Sequence, residues 1–371
     1  QLYAAHFAAH PGDPLGPPAP RLEAARRLVD YRAIALDGAR VCLLRPDMAV
    51  TLNGIAQGYI TDRVADLLRD ASFASVLVQL GETVAGIPGV TASYFGPGVG
   101  RPVIRGQDGA RVAILSNGMA SDDVSNVSQD HAVSLEPFLV DQIEVIKGPT
   151  NLLYGSGAIA GIVNASDGRI VTGAIESGLT GRAESRYDNG SSGFTQMLRS
   201  DWGSDTYALH FDGVYRDNGD SPGPDGDIAN SAVQTKTGAL GGSVFSDWGY
   251  AGASVSRYLN EYGNPAEPGD GIDPGVTLDM QQTRYDTKLG FNKPTDGLDA
   301  IKLAYSYTDY QHTEFEGDEV GTQFFSTGQQ FRAEAVHSSS EHHKGAFGVQ
   351  AQKKEFEAVG AEAFIPSTES S

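Results

Sequence analysis

Cysteine is almost missing from this 371-residue chain. A single thiol, Cys42, excludes an internal disulfide and any CxxC zinc or redox motif. No run of 18 apolar residues occurs, which excludes a transmembrane helix. A membrane β-barrel stays open, because its alternating strands score poorly on hydropathy. Lysine is missing before Lys147. Residues 1–81 carry eight Arg and eight acidic residues and are neutral; residues 82–371, with 19 basic and 39 acidic residues, hold the whole net charge of −20. An acidic body of this kind disfavours non-specific nucleic-acid binding. The chain opens on Gln1 with neither Met nor a leader pattern of charged head and apolar core, and so reads as a fragment or a processed product.

What is abundant is glycine, 46 residues, together with 15 Tyr and 15 Phe in short alternating runs. That combination points to β-structure with tight turns. Hydrophobic residues are 40% and charged residues 20%, so the chain as a whole is not disordered. The length predicts two or three domains.

Residues 1–20 are a loose Pro-rich end, since HPGDPLGPPAP cannot hold a helix. Residues 21–29 have helical composition. VDYRAIALDGARVCLL predicts two strands around a turn at Asp37-Gly38. Ile60, Val64, Leu67 and Leu68 share a helical face, and SVLVQLGE at 75–82 is a short buried-type strand. The order αββαβ reads as a piece of an α/β domain. TLNGIAQGYITDRVADLL followed by SVLVQLGE resembles the central segment of the FAD:protein FMN transferases, the ApbE-like family, over about residues 21–82. The family's later magnesium region and earlier flavin-binding strands are not matched. The resemblance therefore implies a partial segment, residues 1–81, with Asn53, Gly54, Gly58 and Asp62 as remnants of a cofactor site. The Gly54–Gly58 turn could cradle an anion, or simply cap a helix.

From residue 82 the pattern changes to Gly turns between short strands. Four motifs occur in order: IPGV at 87–90, RPVIRG at 101–106, IEVIKGP at 143–149 and LLYGSGAIAGIVN at 152–164. Together they closely resemble the plug domain of TonB-dependent outer-membrane receptors. RPVIRG and RVAILSNG read as two strands around Gln107-Asp108-Gly109, and DQIEVIK as another.

After the plug come amphipathic segments. TYALHFDGVYR places Tyr207, Leu209, Phe211 and Tyr215 on one face, and His210, Asp212 and Arg216 on the other. IKLAYSYTDYQ separates Ile301, Leu303, Tyr305 and Tyr307 from Lys302, Ser306 and Tyr310. Long polar connections alternate with short ones, as in an outer-membrane barrel; a soluble β-sandwich shares the alternation but not the preceding plug. The expected fold class is therefore mixed: a partial α/β transferase-like segment at 1–81, an α/β plug at 82–170, and antiparallel transmembrane β-barrel strands at 171–371. Eight or nine strand candidates stand against about 22 in plugged transporters. The expectation is an incomplete barrel that forms no closed pore.

SQDHAVSLEP at 128–137 resembles the zinc- and metal-uptake subgroup of these receptors, as do residues 308–324 and 356–370. The resemblance implies a metal site built from Asp130 and His131 of the plug with His312, Glu316 and Glu362 of the barrel. Imidazole and carboxylate are ligands that Zn²⁺ accepts when Cys is not available. His312, Glu314 and Glu316 sit at even positions of one segment and share its lumenal face, at the outer end. Ala361 stands where the subgroup has an acid, and His342-His343 falls in a predicted periplasmic turn. Affinity is expected to fall as pH drops through about 6.5.

The expected function is a TonB-dependent receptor for a metal ion or metal complex, zinc foremost. It would have no enzymatic activity and no resident cofactor, and Zn²⁺ or another divalent metal would be its cargo. Expected partners are TonB, whose coupling segment is not seen here, and outer-membrane lipid; nucleic acid is not one. The expected location is the outer membrane of a Gram-negative bacterium. Two other readings are a flavin transferase remnant fused to a receptor and a non-functional chimera.

Overall fold

The computed structural model describes residues 34–37, 40–43, 84, 86–128, 130–148, 158–175, 177–224, 226–266, 275–340, 343–360 and 366–370. Two compact units divide the chain, residues 1–56 and 57–371. In the first, β1 (Ile34–Asp37) pairs antiparallel with β2 (Arg40–Leu43), with Asp37 opposite Arg40. The remnants Asn53, Gly54, Gly58 and Asp62, and the helix and strand expected over 60–82, lie outside the described residues, as does Glu362.

In the second unit, β3 (Val90–Ala92) pairs with β4 (Pro102–Ile104). A four-stranded sheet follows from β5 (Val112–Ser116), β6 (Met119–Ala120), β7 (Gln142–Lys147) and β8 (Gly161–Ser166), in the order β6-β5-β8-β7. β5 and β8 run parallel, and the other pairs are antiparallel. RPVIRG and RVAILSNG thus enter different sheets, because the 3₁₀ turn Gly109–Arg111 redirects the chain between them. Val90, Ile104, Val112, Ile114 and Val163 form the plug's core. Gly161 has φ +150°, and a Cβ there would stand 2.2 Å from the carbonyl oxygen of Ile146. Only glycine fits this join of β7 and β8.

The remaining strands form one ten-stranded antiparallel sheet. Its members are β9 (Gly178–Asp188), β10 (Gly193–Gly203), β11 (Tyr207–Asn218), β14 (Val233–Ser246), β15 (Gly249–Asn264), β16 (Val276–Thr295), β17 (Leu298–Glu316), β18 (Glu319–Ser340), β19 (His343–Gly360) and β20 (Thr368–Ser370). A small hairpin, β12 (Ser221–Gly223) with β13 (Gly226–Ile228), decorates the connection between β11 and β14. Neighbours in sequence are neighbours in the sheet. β16 runs on to Thr295 and β17 starts at Leu298, so their connection is only Asp296-Gly297.

The sheet's two faces divide as the period-2 pattern requires. On β11, His210, Asp212 and Arg216 are buried, while Tyr207, Leu209, Phe211 and Tyr215 are exposed. Polar groups therefore face the plug and apolar ones face outward, the inverse of a soluble sandwich. This is the plug-and-barrel-strand architecture expected from the sequence. Among the described residues no helix is long and apolar enough to cross a membrane, which leaves spanning by strands untouched.

Polar contacts moor the plug to the sheet. Arg169 holds Asp212 through Nε–Oδ2 at 2.7 Å and Nη2–Oδ1 at 3.1 Å. Arg216 donates to Glu136 at 3.0 Å. Arg284 and Gln282 donate to the carbonyls of Ala120 and Ser121 at 2.8 and 3.0 Å. Gln330 and Gln352 both reach the Asp122 carboxylate. Burial lifts that carboxyl above its usual range, against Lys354, Arg284 and the Gln330 hydrogen bond.

Candidate metal site

The plug segment after Ala120 returns across the sheet as an irregular loop and carries Asp130 and His131 to the outer end of β17. Turn order fixes that end: β17 rises from the tight turn at 296–297, opposite in direction to β16 and β18. On β17, alternate positions face the plug. Tyr310 and His312 are fully buried, and Glu314 is partly so.

Ligand atoms of His131, His312 and Glu314 lie within 4.8 Å of one another, and no other such cluster occurs among the described residues. His131 Nε2 stands 2.9 Å from Glu314 Oε1. His312 Nε2 is 3.8 Å from the same oxygen. The two imidazoles are 4.5 Å apart between centroids. The Tyr310 hydroxyl lies 3.0 Å from His312 Nδ1, which leaves His312 Nε2 buried with no hydrogen-bond partner. The ring of Phe324 on β18 stacks on His312 at 4.5 Å and meets His131 edge-on at 5.6 Å. The site is thus a two-nitrogen, one-oxygen donor set closed on one side by an aromatic ring.

Asp130 takes a different place from the other candidates. Its Oδ1 is 3.2 Å from His131 Nδ1, the nitrogen turned away from the cluster, and its side chain is 43% exposed. A carboxylate behind a metal-binding imidazole orients the ring and raises its basicity. Asp130 stands behind His131 as an ion-pair contact that lacks hydrogen-bond geometry, outside the cluster of three. Glu316 is exposed and outside the cluster. Glu316 is the last residue of β17, paired with Val276 and Glu319 at the strand's end, two residues beyond the position that His131 meets. Glu314 stands where the even-numbered face converges.

Burial opposes charge on His131, but the hydrogen bond to Glu314 and the negative charges of Asp130 and Glu314 prevail and raise its pKa to about 9. Burial likewise opposes charge on Asp130, yet His131 and Ser128 hold its carboxyl well below the usual range. Proton competition at His131 therefore reaches to about pH 9, in place of the 6.5 that a free imidazole predicts.

The sequence reading did not anticipate Phe324 or Tyr262, nor that Tyr310 would touch His312. Tyr310 was legible as a lumenal position two residues before His312. Phe324 is set opposite His312 by the strand register alone.

Residues 61–162 match the family model of the TonB-dependent receptor plug domain, and residues 2–103 match that of the ApbE family. The hemin receptor of Yersinia pestis is 35% identical over 78 residues, 21% of this chain and 11% of that protein. The hemin receptor of Yersinia enterocolitica is 34% identical over 79 residues, with the same coverage. Among solved structures, the copper transporter OprC superposes with a TM-score of 0.64 at 19% identity, over 75% of this chain and 44% of that one. The FrpB iron transporter of Neisseria meningitidis gives 0.64 at 14% identity, over 78% and 48%. The Serratia marcescens hemophore receptor HasR gives 0.62 at 16%, over 78% and 45%. The chain spans about a ninth of the curated relatives and under half of these structures. The fold is that of TonB-dependent outer-membrane receptors. The plug match and the ApbE match overlap over residues 61–103.

Proposed function

We propose that this chain acts as a TonB-dependent outer-membrane receptor that captures a bare divalent metal ion, zinc foremost, through His131, His312 and Glu314. The observation that carries the reading is the convergence of one plug imidazole with a barrel imidazole and a barrel carboxylate within 4.8 Å. Two nitrogens and one oxygen suit tetrahedral Zn²⁺ and leave its fourth position open. An open position suits a transported ion, which must arrive hydrated and leave again. The ligand set is divided between plug and barrel, so occupancy bears on the plug's position. An ion biases the plug only insofar as it binds one plug position better than another. The proposed partner is TonB and the proposed location the outer membrane of a Gram-negative bacterium.

A second reading, haem, takes its support from the two Yersinia proteins, which are named hemin receptors. The enclosure of His131 and His312 by Phe324 and Tyr310 favours an ion over a porphyrin. Copper also suits this donor set, and affinity order alone favours Cu²⁺ over Zn²⁺. Titration calorimetry of the full-length receptor with Zn²⁺, Cu²⁺ and hemin, wild type against His131→Ala, separates the three. Zn²⁺ binding that His131→Ala removes supports the reading; hemin binding without Zn²⁺ binding overturns it.

For the N-terminal segment we propose no flavin transferase activity, because the family's magnesium region has no counterpart in the sequence. Covalent flavin on an acceptor protein after incubation with FAD and Mg²⁺ would make the enzyme reading the correct one. Reading genomic sequence across codons 75–90 distinguishes a gene fusion from a chimeric assembly.

A further inference from the structure

Two side chains at the outer end of β15 grip the plug on either side of His131. The hydroxyl of Tyr262 accepts a hydrogen bond from the backbone N–H of Ala132 at 2.9 Å. Asn264 Nδ2 donates to the backbone carbonyl of Asp130 at 2.9 Å. The two residues are two positions apart on one strand and so share its inner face. They hold the peptide groups before and after His131.

The surrounding stretch is packed: Ala132 and Val133 are buried in two separate cores and the Ser134 N–H donates to Asp123 Oδ2 at 3.1 Å, while Tyr262 and Asn264 hold the peptide groups of His131 itself. The stretch lies between β6 and the 3₁₀ turn Pro137–Leu139, outside every ladder of the plug sheet. The grip itself is rigid. Tyr262 is fully buried, and it lies so close to Gly98 that a Cβ there would stand 2.6 Å from the Tyr262 Cβ and 2.8 Å from its ring. Asn264 is held in turn: Asn230 Nδ2 donates to the carbonyls of Asn264 and Val276, each at 3.1 Å. The Asn264 amide meets the plug through its nitrogen, while its Oδ1 is buried with no hydrogen-bond partner.

We propose that Tyr262 and Asn264 are positioning residues of the metal site, a two-point clasp that sets the His131 backbone so that Nε2 meets Glu314 and His312. The inference rests on the reading of those three residues as a metal site. A loop free to shift by an ångström would present His131 at the wrong distance from two ligands fixed on a strand. The clasp removes that freedom before the ion arrives. It also couples the site to the plug's turn at 96–99, because Tyr262 packs on Gly98 while holding Ala132.

The test uses full-length receptor in detergent and four proteins: wild type, Tyr262→Phe, Asn264→Ala and His131→Ala. Tyr262→Phe keeps the ring against Gly98 and loses only the acceptor, so folding is preserved in at least one variant. Zn²⁺ affinity is read by calorimetry, ligand geometry by the visible spectrum of bound Co²⁺, and integrity by metal-free thermal unfolding. Removing an outer partner of a ligand lowers metal affinity by about tenfold or more. The expected result is that loss in Tyr262→Phe and in Asn264→Ala. The Co²⁺ band should shift and the metal-free unfolding midpoint should stay near that of wild type. Wild-type affinity and an unaltered Co²⁺ spectrum in both variants, with binding lost in His131→Ala, would overturn the clasp and leave the metal site standing. Equal Zn²⁺ binding by wild type and His131→Ala would remove the metal site, and the clasp with it.

Discussion

His131 Nε2 and Glu314 Oε1 meet at 2.9 Å although 183 residues separate them in the chain. One belongs to the plug and the other to the barrel sheet, so any displacement of the plug loop must part them. His312 stands beside both, and its Nε2 has no hydrogen-bond partner. A cation placed among the three would satisfy that nitrogen and bind plug to barrel at once.

That geometry separates two neighbouring acids. Glu314→Gln should weaken Zn²⁺ binding at least about tenfold, or about 1.4 kcal/mol. Glu316→Gln should leave it unchanged, because Glu316 is exposed and outside the cluster. Calorimetry on the two variants decides, and equal losses would mean that the ion sits further out than the three converging residues.

The pH dependence follows from His131. Its pKa in the folded, metal-free protein is raised to about 9, against about 6.5 for the unfolded chain. The pairing of charged His131 with Asp130 and Glu314 is therefore fully stabilising below pH 6.5 and is lost as pH rises through 9. An entering ion must displace the same proton, so binding and proton release are linked. Zn²⁺ affinity should rise with pH from 6 to 8.5, by up to about tenfold per unit. Proton release measured by calorimetry in buffers of different ionisation enthalpy should be close to one per ion at pH 7.5. A flat affinity over that range would show that His131 is not a ligand.

Much of the fold was legible because two periodicities are strong here. His210, Asp212 and Arg216 alternate with Leu209, Phe211 and Tyr215, and strand geometry turns that into two faces. The plug announced itself through glycines such as Gly161, which closes a contact that no side chain allows. The candidate site was half legible. His131 and His312 could be named from residue type and face, but the choice of Glu314 over Glu316 depends on how far along β17 the plug loop reaches, which alternation alone cannot reveal. Phe324, Tyr262 and Asn264 reach the site through tertiary approach, and nothing in their local sequence marks them.

The close join at Gly161 yields a packing prediction. Gly161→Ala would place a methyl 2.2 Å from the Ile146 carbonyl oxygen and 3.0 Å from Ile104 Cδ1, at φ +150°. β7 and β8 must then separate, at a cost of about 1–3 kcal/mol or more. The plug should become sensitive to limited proteolysis near residues 142–166 while the barrel strands stay protected. Wild-type resistance would show that the pair yields without strain.

The last prediction concerns the mooring of the plug by Arg169. Its guanidinium makes two hydrogen bonds to Asp212, at 2.7 and 3.1 Å, and Asp212 is fully buried on β11. His210 Nε2 lies 2.9 Å from the same carboxylate. Removing the arginine leaves a buried carboxylate with the imidazole as its remaining side-chain partner. Breaking a buried pair from one side costs up to about 3–5 kcal/mol, because the surviving charge has lost water and its two-pronged partner and keeps only His210 beside it. Arg169→Met should therefore lower the denaturant midpoint of plug release, followed by protease accessibility. Arg169→Lys should fall between, since an ammonium keeps the charge but cannot form the two-pronged contact. The double variant Arg169→Met with Asp212→Leu should recover part of the loss, because the Asp212 carboxylate is then no longer stranded although Asp167 and His210 each lose a partner. If Arg169→Met alone releases the plug no earlier than wild type, the ion pair does not hold the plug, and Arg216 on Glu136 with the contacts at Ala120, Ser121 and Asp122 are left as its mooring.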